Sequence, residues 1–239
     1  MPMPLLLQVF QHVPHEGLGA LEPWFGEQGA QVAYTHLFAG ELPPDASAYD
    51  FLVVLGGPMN VYEEDKYPWL VPEKTAIRNA LNAGKAVLGL CLGAQLMSVA
   101  LGGEVTRNAH REIGWWPVEK IPAAQGHWVA ECFPDRFETF HWHGDTFSAP
   151  PGATALFRSE GCANQGFAWG DRAVGLQFHP EITADAIAAW IRECEAEGGG
   201  DLAPGTYVQS AKAMRDGGDF AGNNAWMGKL CAKLAGALR

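Results

Sequence analysis

Gly89-Leu90-Cys91-Leu92-Gly93-Ala94-Gln95-Leu96 is the stretch whose reading decides the fold. In front of it, Lys85 to Leu90 is a short apolar run. Behind it, Leu92 to Leu101 has the length of a helix stopped by Gly102-Gly103. A cysteine therefore stands where a buried strand hands over to a helix, with glycine two positions before it and two after. A turn this tight strains φ/ψ at its central residue, and the glycines remove side chains that would collide there. The thiol is pushed out at the carboxyl end of the sheet, where open α/β sheets bind ligands, and at a helix N-terminus, whose dipole favours thiolate. A cysteine without this setting reads as a small buried hydrophobe. The glycine-flanked strand-to-helix turn is what points to a nucleophile.

Working outward, the first 100 residues alternate in the βαβ manner. Leu5 to Phe10 reads as a buried strand, Gly17 to Gln28 as a helix presenting Leu18, Leu21, Trp24 and Phe25 on one face, and Gln31 to Phe38 as a strand. Phe51-Leu52-Val53-Val54-Leu55 is continuously apolar, as parallel strands covered on both faces are. A helix is expected from Val71 to Ala83, ending at Gly84. From 104 to 178 the pattern changes to short segments between turns, among them 115–118, 128–130, Cys162 to Trp169 and Ala173 to Phe178. These read as antiparallel or mixed strands added to the sheet. A helix is expected to begin near Thr183, with Ile187, Trp190, Ile191 and Cys194 on one face. Further amphipathic helix lies in the tail, for example Trp226 to Leu238. The expected fold is α/β: an open, mostly parallel, flavodoxin-like sheet with helices on both faces and added antiparallel strands. The expected organisation is a domain over 1–197 and a C-terminal helical extension over 198–239, packed on that domain or on a second copy of the chain.

Composition narrows the function. The chain has 239 residues, 48% of them hydrophobic, and a net charge of −11, so it lacks the basic footprint that nucleic acid or an anionic membrane requires. No apolar run reaches the roughly 18 residues of a spanning helix, and the start MPMPLLLQVF lacks the basic segment of a secretory leader. The five cysteines, at 91, 132, 162, 194 and 231, are odd in number, widely spaced and free of CxxC pairs, which argues against a disulfide framework or zinc ribbon. A cytoplasmic enzyme is the expectation.

Two further stretches carry chemistry. Gly175-Leu176-Gln177-Phe178-His179-Pro180-Glu181 places an imidazole and a carboxylate on one turn at a strand end. A thiol nucleophile needs a base, and the base needs an acceptor on its other nitrogen. His179 and Glu181 supply both. Leu55-Gly56-Gly57-Pro58-Met59-Asn60 puts glycines directly after a strand, where backbone N–H groups can approach an oxyanion. It is neither a Walker A loop nor a GxGxxG fingerprint.

The order GGP, GxCxGxQ, FHPE, each at a strand end, resembles the class I glutamine amidotransferase domain with its Cys-His-Glu triad. The likeness runs over roughly residues 1–195. Trp142-His143-Gly144-Asp145, Glu112-Ile113-Gly114-Trp115 and Cys162-Ala163-Asn164-Gln165 extend it toward the stand-alone GMP-synthase-like group. The resemblance implies that Cys91 attacks the side-chain amide of glutamine to give a γ-glutamyl thioester. His179 would then activate the thiol and protonate ammonia, and Glu181 would orient His179. Backbone N–H groups of Gly57 and Leu92 would hold the oxyanion. Gln95 would help bind glutamine, main chain near Met59, Trp142 and Gly144 would fix its amino-acid end, and Asp145 would pair with the α-ammonium. No cofactor and no metal is implied.

No SGGxDS-type loop of an ATP-pyrophosphatase is present. On the resemblance, ammonia would pass to a separate synthetase subunit. The alternatives are a γ-glutamyl peptidase or hydrolase acting on γ-glutamyl amides such as glutathione conjugates, an idle binding or regulatory module, and an α/β cysteine protein of the DJ-1 or PfpI kind. A homodimer is left open. His141 and His143 have zinc-like spacing but no third ligand near in sequence, and read as structural. His12, His15, His36, His110 and His127 read as surface or loop residues, and Cys132, Cys162, Cys194 and Cys231 as packing residues.

Overall fold

A computed structural model describes residues 3–236. In chain order the elements are β1 (Leu6–Gln11), α1 (Leu21–Glu27), β2 (Gln31–His36), β3 (Phe51–Val54), α2 (Leu70–Asn82), β4 (Ala86–Leu90), α3 (Leu92–Ala100), β5 (Val105–Lys120), β6 (Arg136–Phe147), β7 (Ala153–Ser159), β8 (Gly166–Trp169), β9 (Ala173–Leu176), α4 (Ala184–Ala196), β10 (Tyr207–Val208), α5 (Ala211–Asp216) and α6 (Phe220–Gly236). The strands form one sheet in the order β10-β5-β7-β8-β9-β4-β3-β1-β2, with β6 paired to β5. The run β2-β1-β3-β4-β9 is parallel. β5 is joined to it through the antiparallel strands β7 and β8. This is the flavodoxin-like order expected of an open α/β sheet.

The continuous apolar runs are explained by burial on both faces. Along β3, Phe51 and Val53 join one core with Leu21 and Phe25 of α1 and Met227, Leu230 and Leu234 of α6. Leu52 and Val54 join the opposite core with Ile77 and Leu81 of α2 and Leu96 and Met97 of α3. Strand side chains alternate between faces, so a strand with a core on each side shows no polar position. A third cluster, Ile113, Trp115, Phe140, Ile187, Ile191 and Met214, seats α4 and α5 on the β5–β6 ribbon. Among the described residues no helix is long and apolar enough to cross a membrane.

Several elements depart from the sequence reading. Residues 128–130 are not a strand: Cys132 N–H donates to Val129 O at 2.9 Å, making a short 3-10 turn that tucks Val129 and Ala130 into the core. The strand expected from Cys162 starts at Gly166, because Cys162 is tied back to Ser159 in a loop. The first helix begins at Leu21, after a turn in which Gly19 has φ +56°, and Leu18 is buried ahead of it. The tail adds β10, parallel to β5, before α6, which starts at Phe220 rather than Trp226. Leu238 lies outside the described residues.

Candidate active site

Cys91 is the N-cap of α3, with φ 51° and ψ −106°, and is the one non-glycine with positive φ among the described residues. Strain of this kind costs about 1–3 kcal/mol and persists where the surroundings over-determine it. They do here. Cys91 N–H donates to Leu176 O at 2.8 Å, tying the end of β4 to the end of β9. A Cβ on Gly93 would overlap the carbonyl of Val54, and one on Gly89 would stand 2.6 Å from Gly93 C, so both flanking glycines are required. Leu92 is the first helical residue, and its N–H has no acceptor inside the helix.

The chain passes from β9 into an irregular turn. His179 there is held by its N–H donating to Phe140 O at 2.8 Å. Nδ1 of His179 lies 2.7 Å from Glu181 Oε1, with both residues buried. Burial alone would push the imidazole pKa down. The Glu181 carboxylate, then the neighbouring Cys91 thiol, outweigh it and hold His179 well above the usual histidine value. Trp190 of α4 packs edge-on against the His179 ring at 4.8 Å. Sγ of Cys91 lies 3.6 Å from Trp142 O and receives Gln177 Nε2 at 3.5 Å.

Cys91 and His179 open onto one cleft, also lined by Gly57, Met59, Gln95, Trp142, Gly144 and Asp145. Ten candidates came from the sequence. The structure brings eight of them to the cleft wall, with Leu92 beside Gly57 and Glu181 behind His179. Gln95 does not point freely into the opening: its Nε2 donates to Gln177 Oε1 at 3.2 Å, and through Gln177 it is connected to the thiol. Asp145 Oδ1 stands 3.3 Å from Arg107 Nη1, so this part of the cleft offers both charge signs.

The sequence reading missed three groups. Glu16 lines the cleft, half-buried. Its Oε2 lies 2.6 Å from where a Cβ on Gly56 would be, a point 3.3 Å from His179 Cε1. Burial raises its pKa to about 7 against the pull of His179 and His12. His12 is not a surface residue but fully buried, bonded to Gly56 O and Glu73. Arg107 and Arg111 line the far wall. None follows a recognisable pattern, except that Glu16 and His12 stand just past β1, which pairs with the strand β3 that leads into Gly56-Gly57.

His141 and His143 do acquire a third partner, Glu112 of β5, all three buried with ligand atoms within 4.8 Å of one another. The carboxylate already accepts from Ser159 Oγ at 2.6 Å and Gln165 Nε2 at 2.6 Å, and His143 Nε2 lies 3.1 Å from it. Burial works against its ionisation, yet those hydrogen bonds and the two imidazoles pull its pKa down to about 2. Nδ1 of His143 donates to Asp145 O at 3.0 Å, so the network braces the backbone that presents Asp145.

Residues 26–193 match the family Glutamine amidotransferase class-I. The chain is 34% identical over 208 residues to the glutamine amidotransferase-like protein YfeJ of Salmonella typhimurium, covering 85% of this chain and 87% of that one. It is 35% identical over 180 residues to the glutamine-hydrolysing GMP synthase of Thermomicrobium roseum, 70% of this chain but 32% of that enzyme. Among solved structures, a glutamine amidotransferase from Thermotoga maritima superimposes with a TM-score of 0.85 at 34% identity, covering 99% of both chains.

Proposed function

Because the chain belongs to the class I glutamine amidotransferase family, we propose that it cleaves the side-chain amide of glutamine through Cys91, His179 and Glu181. The observation that carries this reading is the convergence of the strained Cys91 turn and the buried His179–Glu181 pair on one cleft. Glutamine lies with its α-ammonium toward Asp145, its α-carboxylate toward Arg107 and its amide over Cys91. The sulfur bonds to the amide carbon, the C=O π pair moves onto oxygen, and His179 takes the thiol proton. Two backbone donors, the N–H groups of Gly57 and Leu92, stabilise the oxyanion, the kind of contribution that dominates acyl transfer. Collapse expels nitrogen, to which His179 returns the proton, leaving ammonia and a γ-glutamyl thioester. Water, deprotonated by His179, then cleaves the thioester to glutamate and restores the thiol.

Ammonia is passed to a partner synthetase. The support is that the chain spans about a third of its GMP synthase relative, leaving the rest of that enzyme unmatched. A second reading, cleavage of larger γ-glutamyl amides, is favoured by one feature. The cleft continues past His179 along Trp190, Glu193 and Cys194 of α4 and Glu197 at its C-cap, which recur at helical spacing and give a larger leaving group walls to meet. Measuring glutamate released from glutamine and from a panel of γ-glutamyl peptides tests both. Turnover of neither class overturns the proposal.

A further inference from the structure

His12 is a buried group for which the reaction above has no task. Its Nδ1 lies 2.8 Å from Gly56 O and its Nε2 lies 2.7 Å from Glu73 Oε1. Trp69 stacks on the ring at 5.4 Å, and neither His12 nor Glu73 is exposed. A carbonyl oxygen only accepts hydrogen bonds, so Nδ1 carries a proton and donates to Gly56 whatever the state of Nε2. This contact matters because the Gly56 carbonyl shares a peptide unit with the Gly57 N–H. The Gly56–Gly57 peptide is trans, so the Gly56 carbonyl and the Gly57 N–H point in opposite directions. Holding the carbonyl on the His12 side therefore aims the N–H away from it, and Gly57 lines the cleft beside Cys91. The two glycines have no side chains to stop that peptide from rotating, and Gly57 packs directly against His12, whose Cβ would stand 3.0 Å from an added Cβ.

We infer that His12, backed by Glu73, is a positioning residue that fixes and polarises the Gly56–Gly57 peptide, so that its N–H serves as an oxyanion donor. A second carboxylate–imidazole pair thus stands across Gly56 from the first, one acting on the oxyanion and the other on the thiol. Burial of His12 opposes its charge, but Glu73 and the Gly56 carbonyl prevail and raise its pKa. The donor is strengthened accordingly, since hydrogen bonds from a charged donor are roughly twice as strong as neutral ones.

The inference rests on Cys91 being the amidase nucleophile, and its test separates the two. Glutamate γ-semialdehyde places an aldehyde at the amide position. The Cys91 sulfur bonds to the aldehyde carbon, the π pair moves to oxygen, and His179 takes the thiol proton, so an oxyanion forms with no leaving group. Alkylation of Cys91 by iodoacetamide needs no oxyanion hole. With one semialdehyde stock for all proteins, its cyclisation cancels in the comparison. His12→Ala is expected to weaken semialdehyde inhibition roughly 10- to 100-fold, the scale of a compromised oxyanion donor. His12→Asn, whose amide can replace the Nδ1 donor, recovers it to within about fivefold. Alkylation rates at Cys91 stay within about twofold throughout, because the thiol's own partners are untouched. Should His12→Ala fail to fold, Glu73→Gln carries the test with an expected loss of roughly three- to tenfold from the weaker neutral donor. Equal semialdehyde inhibition in all folded variants, or a parallel fall in alkylation, overturns the role of His12. A wild-type protein alkylated at Cys91 yet insensitive to the semialdehyde overturns the amidase reading itself.

Discussion

Oε1 of Glu181 lies 2.7 Å from Nδ1 of His179, and this contact decides which imidazole nitrogen faces the thiol. The carboxylate occupies the Nδ1 proton, so Nε2 is left to act on Cys91. Replacing Cys91 with Ala is expected to abolish turnover, and Cys91→Ser to leave little of it. His179→Ala is expected to cost at least about 10³-fold in kcat, and Glu181→Gln about 10- to 100-fold, since orientation is weakened while nucleophile and base remain. Steady-state release of glutamate measures each. Full activity in Cys91→Ala refutes the assignment.

The same pair fixes a pH dependence. Glu181 is the largest influence raising the pKa of the buried His179. On the proposed mechanism the alkaline limb of activity is set by loss of the proton that His179 gives to the leaving nitrogen, and so is expected to stand high in the wild type. Glu181→Gln is expected to move that limb to lower pH. A kcat–pH profile whose alkaline limb does not shift speaks against His179 as the general acid.

Glu16 gives a stability signature of opposite sense. Its pKa rises from 4.5 unfolded to about 7 folded, because burial beside the triad penalises the charge. The folded chain binds this proton more tightly than the unfolded chain, so the associated stability is present below pH 4.5 and disappears as pH rises through 7. Glu16→Gln is expected to match wild type at pH 5 and to exceed it at pH 8 by roughly 1 kcal/mol, a figure reduced because the side chain keeps some contact with solvent. That corresponds to about 2–4 °C in Tm for a chain of this size, and calorimetry at the two pH values measures it. An equal Tm difference at both pH values contradicts the shift.

How much of this was legible beforehand depends on whether the information is local. The Cys91 elbow was legible because the turn leaves its cause in the adjacent sequence, a glycine at 89 and another at 93. The βαβ half was legible because strands buried on both faces must be continuously apolar. The residues 128–130 misled because three apolar residues suit a buried 3-10 turn as well as a strand. β10 escaped notice because two residues, Tyr207 and Val208, pair with Glu112 and Ile113 nearly a hundred positions away. His12 and Glu73 are 61 residues apart, and the site role of His12 depends on that contact. Isolated histidines look alike until the fold brings their partners to them.

Cysteine reactivity should be selective. Burial raises the pKa of Cys132, Cys162, Cys194 and Cys231, which lowers their thiolate fraction. Cys91 instead stands at a helix N-terminus against a histidine whose pKa is raised. Iodoacetamide is expected to label Cys91 first, and glutamine to slow that labelling. Peptide mass mapping over time with and without glutamine reads both effects, and equal labelling of all five cysteines rejects them.

The tail offers a prediction that separates scaffold from chemistry. Leu230 of α6 is fully buried in the core that also holds Leu7, Val9, Phe51 and Phe178, on the opposite face from α3. Phe178 adjoins His179, so α6 packs in the core beneath the turn that carries His179 and Glu181. Leu230→Ala removes buried volume from a closed core and is expected to cost about 3 kcal/mol of stability. The triad is held by other contacts: Cys91 N–H on Leu176 O, His179 N–H on Phe140 O, and His179 on Glu181. Well below its lowered Tm the variant should therefore alkylate at Cys91 and release glutamate at rates within about twofold of wild type, because none of those contacts involves Leu230. Denaturant unfolding and initial rates, taken on the same preparation, measure the two quantities independently. A loss of turnover with unchanged stability would place α6 in the active site rather than beneath it.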